Sequence, residues 1–221
     1  MRIDPATLRE MATLMPDEAR DEMAIPSYLH RNPALRWMAW RRVEELVGEI
    51  ERRCPEGGTV LDFGCGTGVL FEAALTRAAT VYGVDLVLHA AQHWIDKRKI
   101  TRVTLMHPPE AEAALAPGSV DLVVAAEVLE HIDDLTPTLA FFQRVLKPGG
   151  TLLVSLPTEN AAYRFGRRLA GFSGHFHVHN AASIDAVIQR AGFGRRSGRT
   201  IPGPGPLAIY LIAAYRPPGG P

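Results

Sequence analysis

Residues 60–75, VLDFGCGTGVLFEAAL, run strand formers into Gly64, Gly66 and Gly68 and then into helix formers. Glycine takes a positive φ without a Cβ clash and lets another group come close to the main chain. The pattern predicts a strand over Val60–Phe63, a tight turn, and a helix beginning near Thr67–Val69. Free N–H groups and the positive end of that helix would face a polar or negatively charged ligand. A strand-to-helix turn with no ligand is the alternative, because a glycine-rich turn alone is weak evidence.

The rest of the chain supplies the frame for such a turn. Residues 33–53 repeat Leu35, Met38, Val43, Leu46, Val47 and Ile50 at helical spacing, and Pro55-Glu-Gly-Gly stops the pattern. Short strand-like runs follow at Thr59–Phe63, Val81–Asp85, Val103–Met106, Val120–Ala126 and Thr151–Leu156, alternating with helical stretches. Most are too apolar for a half-exposed antiparallel sheet, so they predict an α/β protein with strands buried on both faces of a mostly parallel sheet. The tail differs. GFGRRSGRTIPGPGPLAIYLIAAYRP offers two strands joined by a Pro/Gly turn, an antiparallel pair at the sheet edge. The final residues, 217–221, are expected to be a disordered tail.

Composition narrows the function. With 221 residues the chain is sized for one domain, and its 24 basic and 24 acidic residues leave no global field to attract nucleic acid or an anionic membrane. A small-molecule partner is expected. Cys54 and Cys65 are the two cysteines, and the second lies inside the glycine turn, where a bridge would cramp it. No apolar run is long enough for a membrane span, and the first residues lack a signal-peptide pattern, so a cytoplasmic protein is expected.

Asp85 ends the second strand run, and an acid beside a glycine-rich turn can accept hydrogen bonds from ribose hydroxyls. A solvated strand-end residue is the plain alternative. Asp62 precedes the turn and would repel a pyrophosphate but suit a cationic amine. The ligand therefore reads as an amino acid joined to a nucleoside.

Four stretches, VLDFGCGTG (60–68), VYGVDL (81–86), GSVDLVVAAEVLEHIDD (118–134) and RVLKPGGTLLVSLPTEN (144–160), make the sequence resemble the class I S-adenosylmethionine-dependent methyltransferases, in particular their small-metabolite branch. The resemblance implies a three-layer Rossmann-like fold whose seven-stranded, mostly parallel sheet ends in an antiparallel hairpin. It implies a helical segment 1–57 capping a methyltransferase domain 58–216. Gly64, Gly66 and Gly68 would hold the methionine part of S-adenosylmethionine with Asp62 near its amino group, Asp85 would bind the ribose, Leu86 would be a further cofactor contact, and LKPGG would be the turn before the fifth strand. After the third strand the branch places an Asp at the adenine amino group. Pro109 stands there in this chain, and Glu110 is the adjacent acid. Glu110 would substitute for it, or would merely open a short helix.

The acceptor side is expected at the carboxyl ends of the strands. There the fourth strand delivers Glu127, Glu130 and His131, with Glu127 also a candidate cofactor contact. His131 is the leading candidate for a general base and Glu127 its competitor, needed where the nucleophile arrives protonated. The alternative for His131 is a residue that only shapes the pocket. Residues 158–179 read as a lid or substrate loop. In it Arg164, Arg167 and Arg168 would meet an acidic acceptor or form a solvated face. His175 and His177, with His179, project to one side of an extended segment and read as acceptor contacts rather than metal ligands; no metal is expected. Asn180 reads as a helix cap. Tyr28, His30, Trp37 and Trp40, interleaved with Arg31 and Arg36, either stack bases or form an amphipathic helix roofing a pocket; the balanced charge favours the roof and makes Tyr28 a candidate acceptor contact.

The function these readings give is transfer of a methyl group to an O, N or C nucleophile of a small metabolite by a monomer or homodimer. A non-catalytic S-adenosylmethionine-binding scaffold and an RNA or protein methyltransferase are the rivals.

Overall fold

The computed structural model describes residues 2–16, 24–160 and 180–219. Its strands are β1 (Gly58–Phe63), β2 (Ala78–Val84), β3 (Val103–Met106), β4 (Val120–Ala126), β5 (Leu146–Pro157), β6 (Gly194–Ile201) and β7 (Tyr210–Arg216). They form a seven-stranded sheet in the order β3-β2-β1-β4-β5-β7-β6. β1, β2 and β3 are mutually parallel, as are β4 and β5, whereas β7 runs antiparallel to both β5 and β6. This is the mostly parallel α/β sheet with a closing hairpin that the strand pattern predicts. No helix among the described residues is long and apolar enough to cross a membrane.

The chain divides into two compact units, Met1–Ala114 and Leu115–Pro221. In the first, α1 (Pro5–Thr13), α2 (Ile25–Tyr28) and α3 (Pro33–Arg53) precede β1. Helix α3 spans the predicted 33–53, starts at Pro33 behind the Asn32 cap, and buries Ala39, Val43, Leu46 and Ile50 along one stripe. Helix α5 (His89–Arg98) follows β2, and α6 (Pro108–Ala114) follows β3. Glu10 of α1 ties onto α5 through Lys97 at 2.5 Å and His93 at 3.0 Å. Cys54 and Cys65 are both buried, and neither is in a disulfide.

Two expectations for helix and turn positions are corrected. The helix after the glycine turn begins at Phe71, not near Thr67–Val69, and α4 (Phe71–Ala74) is four residues long. Gly68 sits at φ 71°, outside the right-handed helical region, so the turn runs on until the buried Phe71 ring closes it. LKPGG is not a free turn but the start of β5. Val120 pairs with Leu146 and Leu122 with Thr151, so the ladder absorbs the intervening residues as a bulge with Gly149 at φ 80°.

In the second unit Leu122, Val123, Val124 and Ala125 of β4 and Leu152, Leu153 and Val154 of β5 are fully buried. Helix α7 (Leu135–Val145) adds Leu139 and Phe142, and α8 (Ala181–Arg190) adds Ile184 and Ile188. Asn180 caps α8 as expected: its side chain accepts from the Ser183 N–H at 3.0 Å while Ser183 Oγ accepts from the Asn180 N–H at 3.0 Å. Pro217, assigned to the tail by composition, is buried, and Pro218 lies alongside Gly192.

Candidate active site

The turn after β1 is built as the glycines require. Gly64, Gly66 and Gly68 take φ values of 77°, 53° and 71°. A Cβ on Gly68 would come within 2.5 Å of the Phe71 ring, so the site excludes any side chain there on two counts. The N–H groups of Gly64 and Cys65 both donate to the Val84 carbonyl, at 2.7 and 3.1 Å, which pins the turn to the end of β2.

Asp85 completes that junction. Its Oδ2 accepts from the Gly66 N–H at 2.8 Å and its Oδ1 from the Val87 N–H at 3.1 Å. Each carboxylate oxygen has a second lone pair, so two acceptor positions remain beside a bare backbone. Leu86 stands 78% exposed next to it, an apolar face at the carboxyl end of β2.

Asp62 is 3% exposed, and burial, followed by the charge of Asp85, pushes its carboxyl up to about 7. A carboxylate so placed favours a cation beside it. Burial also raises the Cys65 thiol well above its ordinary range, with Asp62 and Asp85 adding to the effect, so Cys65 is an inert packing residue.

Past β3, the His107 N–H donates to Glu110 Oε2 at 2.8 Å, and His107 Nδ1 lies 3.1 Å from the Asp85 carbonyl oxygen. Glu110 thus folds back over the start of α6, and Pro109 beside it is exposed. His107 was not singled out from the sequence. Its place directly after the third strand was the available signal.

In the second unit Glu127 follows β4 at φ 56°, a conformation that non-glycine residues seldom adopt and that clusters at functional sites. Its N–H donates to the Ser155 carbonyl at 3.0 Å and its Oε1 accepts from Ser155 Oγ at 2.9 Å. Ser155 is the polar residue inside the apolar run LLVSLP, a signal not taken up from the sequence. Leu129–His131 forms a 3₁₀ turn in which Glu130 is fully buried and His131 is exposed. The three residues expected together are therefore split, with Glu130 in the core.

Tyr28 is buried, its ring stacked on Trp40 at 4.6 Å and its hydroxyl 3.5 Å from Arg42 Nη2. That places it in the packing of α2 on α3. His175, His177, His179, Arg164, Arg167 and Arg168 lie outside the described residues.

The α/β fold thus brings together a glycine turn at positive φ after β1, an acid after β2 and a buried acid before the turn. A family model described as a methyltransferase domain matches residues 28–195. A Mycolicibacterium smegmatis protein named as an S-adenosylmethionine-dependent methyltransferase is 33% identical over 154 residues, 70% of this chain and 58% of its own length. A ubiquinone biosynthesis O-methyltransferase of Thiobacillus denitrificans is 38% identical over 117 residues, 51% of this chain and 50% of its own. This chain belongs to the S-adenosylmethionine-dependent methyltransferase family, and it spans about half of the length of the curated relatives it matches.

Solved structures share the fold. A Pyrococcus horikoshii protein superposes with a TM-score of 0.70 at 16% identity, covering 92% of this chain and 99% of its own. The Bradyrhizobium japonicum N-methyltransferase NodS, solved with S-adenosyl-L-homocysteine, gives 0.63 at 19% identity over 96% and 98%.

Proposed function

We propose that this chain transfers the methyl group of S-adenosylmethionine to a nucleophile of a small metabolite, and that the nucleophile is an oxygen. The observation that carries the cofactor assignment is Asp85, whose carboxylate is fixed by the Gly66 and Val87 N–H groups beside a turn in which Gly68 has no room for a Cβ. The family supports the reaction class, and relatives named ubiquinone biosynthesis O-methyltransferase support oxygen over nitrogen or carbon.

When bound, S-adenosylmethionine supplies a methyl carbon activated by its sulfonium centre. The residues of this chain do the rest. Gly64, Gly66 and Gly68 would admit the methionine part, Asp62 would balance its ammonium, Asp85 would accept from the ribose hydroxyls, and Leu86 and Glu110 would flank the adenine. On the acceptor side an imidazole nitrogen of His131 would take the proton that the hydroxyl gives up, and the bond from that oxygen to the methyl carbon would replace the carbon–sulfur bond, whose electron pair leaves with the neutral thioether. Glu127, held by Ser155, orients the acceptor and is the rival base. Positioning remains the main catalytic effect. Zero net charge supports a small molecule over nucleic acid, and two cysteines outside any disulfide support a reducing, cytoplasmic setting.

The test is label transfer from methyl-labelled S-adenosylmethionine to a panel of phenols, amines and carbon acids. Phenols should gain label, and His131→Ala and His131→Gln should each lower turnover about a hundredfold with cofactor affinity near wild type. Either variant turning over at the wild-type rate excludes His131 as the base. Label on amines or carbon acids alone excludes oxygen.

A further inference from the structure

β2 and β3 are parallel neighbours, and they end level with each other, Val84 opposite Met106. Asp85 and His107 are the residues just past those ends. The Asp85 N–H donates to the Met106 carbonyl at 3.3 Å, and His107 Nδ1 lies 3.1 Å from the Asp85 carbonyl oxygen. A carbonyl oxygen can only accept, so Nδ1 carries a hydrogen and donates it. In the neutral ring the lone pair is then on Nε2. The side chain is exposed, and Nε2 has no hydrogen-bond partner among the described residues.

The main chain under that ring is fixed as well. The His107 N–H donates to Glu110 Oε2 at 2.8 Å, and the Ala111 N–H donates to the His107 carbonyl at 3.0 Å. Pro108 follows and keeps the His107 backbone out of the helical region. One Glu110 oxygen is thereby occupied in holding His107. The imidazole is held at both ends, and its bare nitrogen is the acceptor it presents to solvent.

The residue that orients this ring through its carbonyl is the same one whose carboxylate is proposed for the ribose. A nucleoside carries its base on the carbon next to a hydroxyl-bearing one, so a ribose at Asp85 brings the base to the ends of β2 and β3. There Leu86, 78% exposed, offers an apolar face. The edge of adenine carries ring-nitrogen acceptors and one donor group, the exocyclic amine. Only the amine can meet a bare lone pair.

We propose that His107 is the residue that selects the base of the cofactor, its Nε2 accepting a hydrogen bond from the exocyclic amine of adenine. The inference rests on the S-adenosylmethionine reading above and adds to it the group that tells an aminopurine from other purines. Asp85 is a positioning residue for the ring through its carbonyl, and Glu110 through the His107 N–H.

Calorimetric titration of the full chain tests this with S-adenosylhomocysteine, an analogue with hydrogen in place of the purine amine, and the inosine analogue. The wild type should bind the adenosyl compound about tenfold more tightly than either analogue, the scale of one well-made hydrogen bond. His107→Phe keeps a flat ring without a lone pair, and it should bring the three affinities within about twofold of one another by weakening the adenosyl compound alone. His107→Gln, whose amide oxygen accepts, should retain most of the preference. Equal binding of the three by the wild type, or tightest binding of the inosine analogue, overturns the proposal whether or not a variant folds. A preference that survives in His107→Phe and is lost in Glu110→Gln assigns the amine to Glu110 and overturns it too. Should the wild type bind none of the three, the S-adenosylmethionine reading falls and takes the proposal with it.

Discussion

Asp62→Asn should stabilise the protein at neutral and alkaline pH and not in acid. Asp62 is buried and ionises near 7, against an ordinary aspartate value of 3.8. Between those two values the folded chain holds a proton that the unfolded chain has released, so the group's contribution to stability falls as pH rises through the window and levels off above about 7. A difference of about 3 pH units at 1.36 kcal/mol each puts the full cost at roughly 4 kcal/mol. The isosteric amide carries no such cost, although its NH₂ must be accommodated, so a gain of about 1–4 kcal/mol above pH 7 is expected. Urea unfolding of both proteins from about pH 4 to about pH 8 gives the difference curve, in which groups common to both proteins cancel. A wild-type-minus-variant difference that stays flat across the window would refute the argument. The same variant should bind S-adenosylmethionine more weakly, since it lacks the charge opposite the ammonium.

Gly68→Ala combines an unfavourable left-handed φ with a Cβ only 2.5 Å from the Phe71 ring, so urea melts should show a loss of about 2 kcal/mol or more, with cofactor binding lost in titration. Asp85→Ala removes the acceptor of two backbone N–H groups and the acceptor proposed for the ribose, and calorimetry should find S-adenosylmethionine binding weaker by about 1.5–3 kcal/mol. Asn180→Ala opens the capping box of α8 and should cost about 1 kcal/mol in unfolding free energy without altering cofactor affinity.

Periodicity and glycine chemistry made most of the fold legible. Helix α3 and strands β3 and β4 fall on the expected residues, α3 because its apolar residues recur at helical spacing after Pro33 and the strands because short runs rich in Val and Leu, with one polar residue each, stand between turn residues. The closing hairpin was readable because no helical stretch separates β6 from β7. The misplaced helix start after Gly68 shows the limit of propensity: Val69 and Leu70 suit a helix, but the φ of Gly68 and the seat of the Phe71 ring beside Gly68 and Gly83 are tertiary facts. LKPGG reads locally as a turn, and only its pairing with β4 makes it a bulged strand.

The local geometry of the turn was legible: Gly64, Gly66 and Gly68 take positive φ, and Asp85 lies beside them on the Gly66 N–H. The acceptor side was less so. Glu127, Glu130 and His131 are adjacent in sequence, yet the 3₁₀ turn sends Glu130 into the core and leaves His131 exposed. Ser155 and His107 carry no motif; Ser155 matters because it holds the Glu127 carboxylate, and His107 because it lies against the Asp85 carbonyl.

The central claim is that the turn at Gly64–Gly68 and Asp85 hold S-adenosylmethionine, and calorimetric titration of the full chain with S-adenosylmethionine and with a nicotinamide dinucleotide tests it most directly. Saturable binding of S-adenosylmethionine at one site per chain, weakened by Asp85→Ala and matched by no response to the dinucleotide, is the predicted result. Tight dinucleotide binding with no response to S-adenosylmethionine would contradict it.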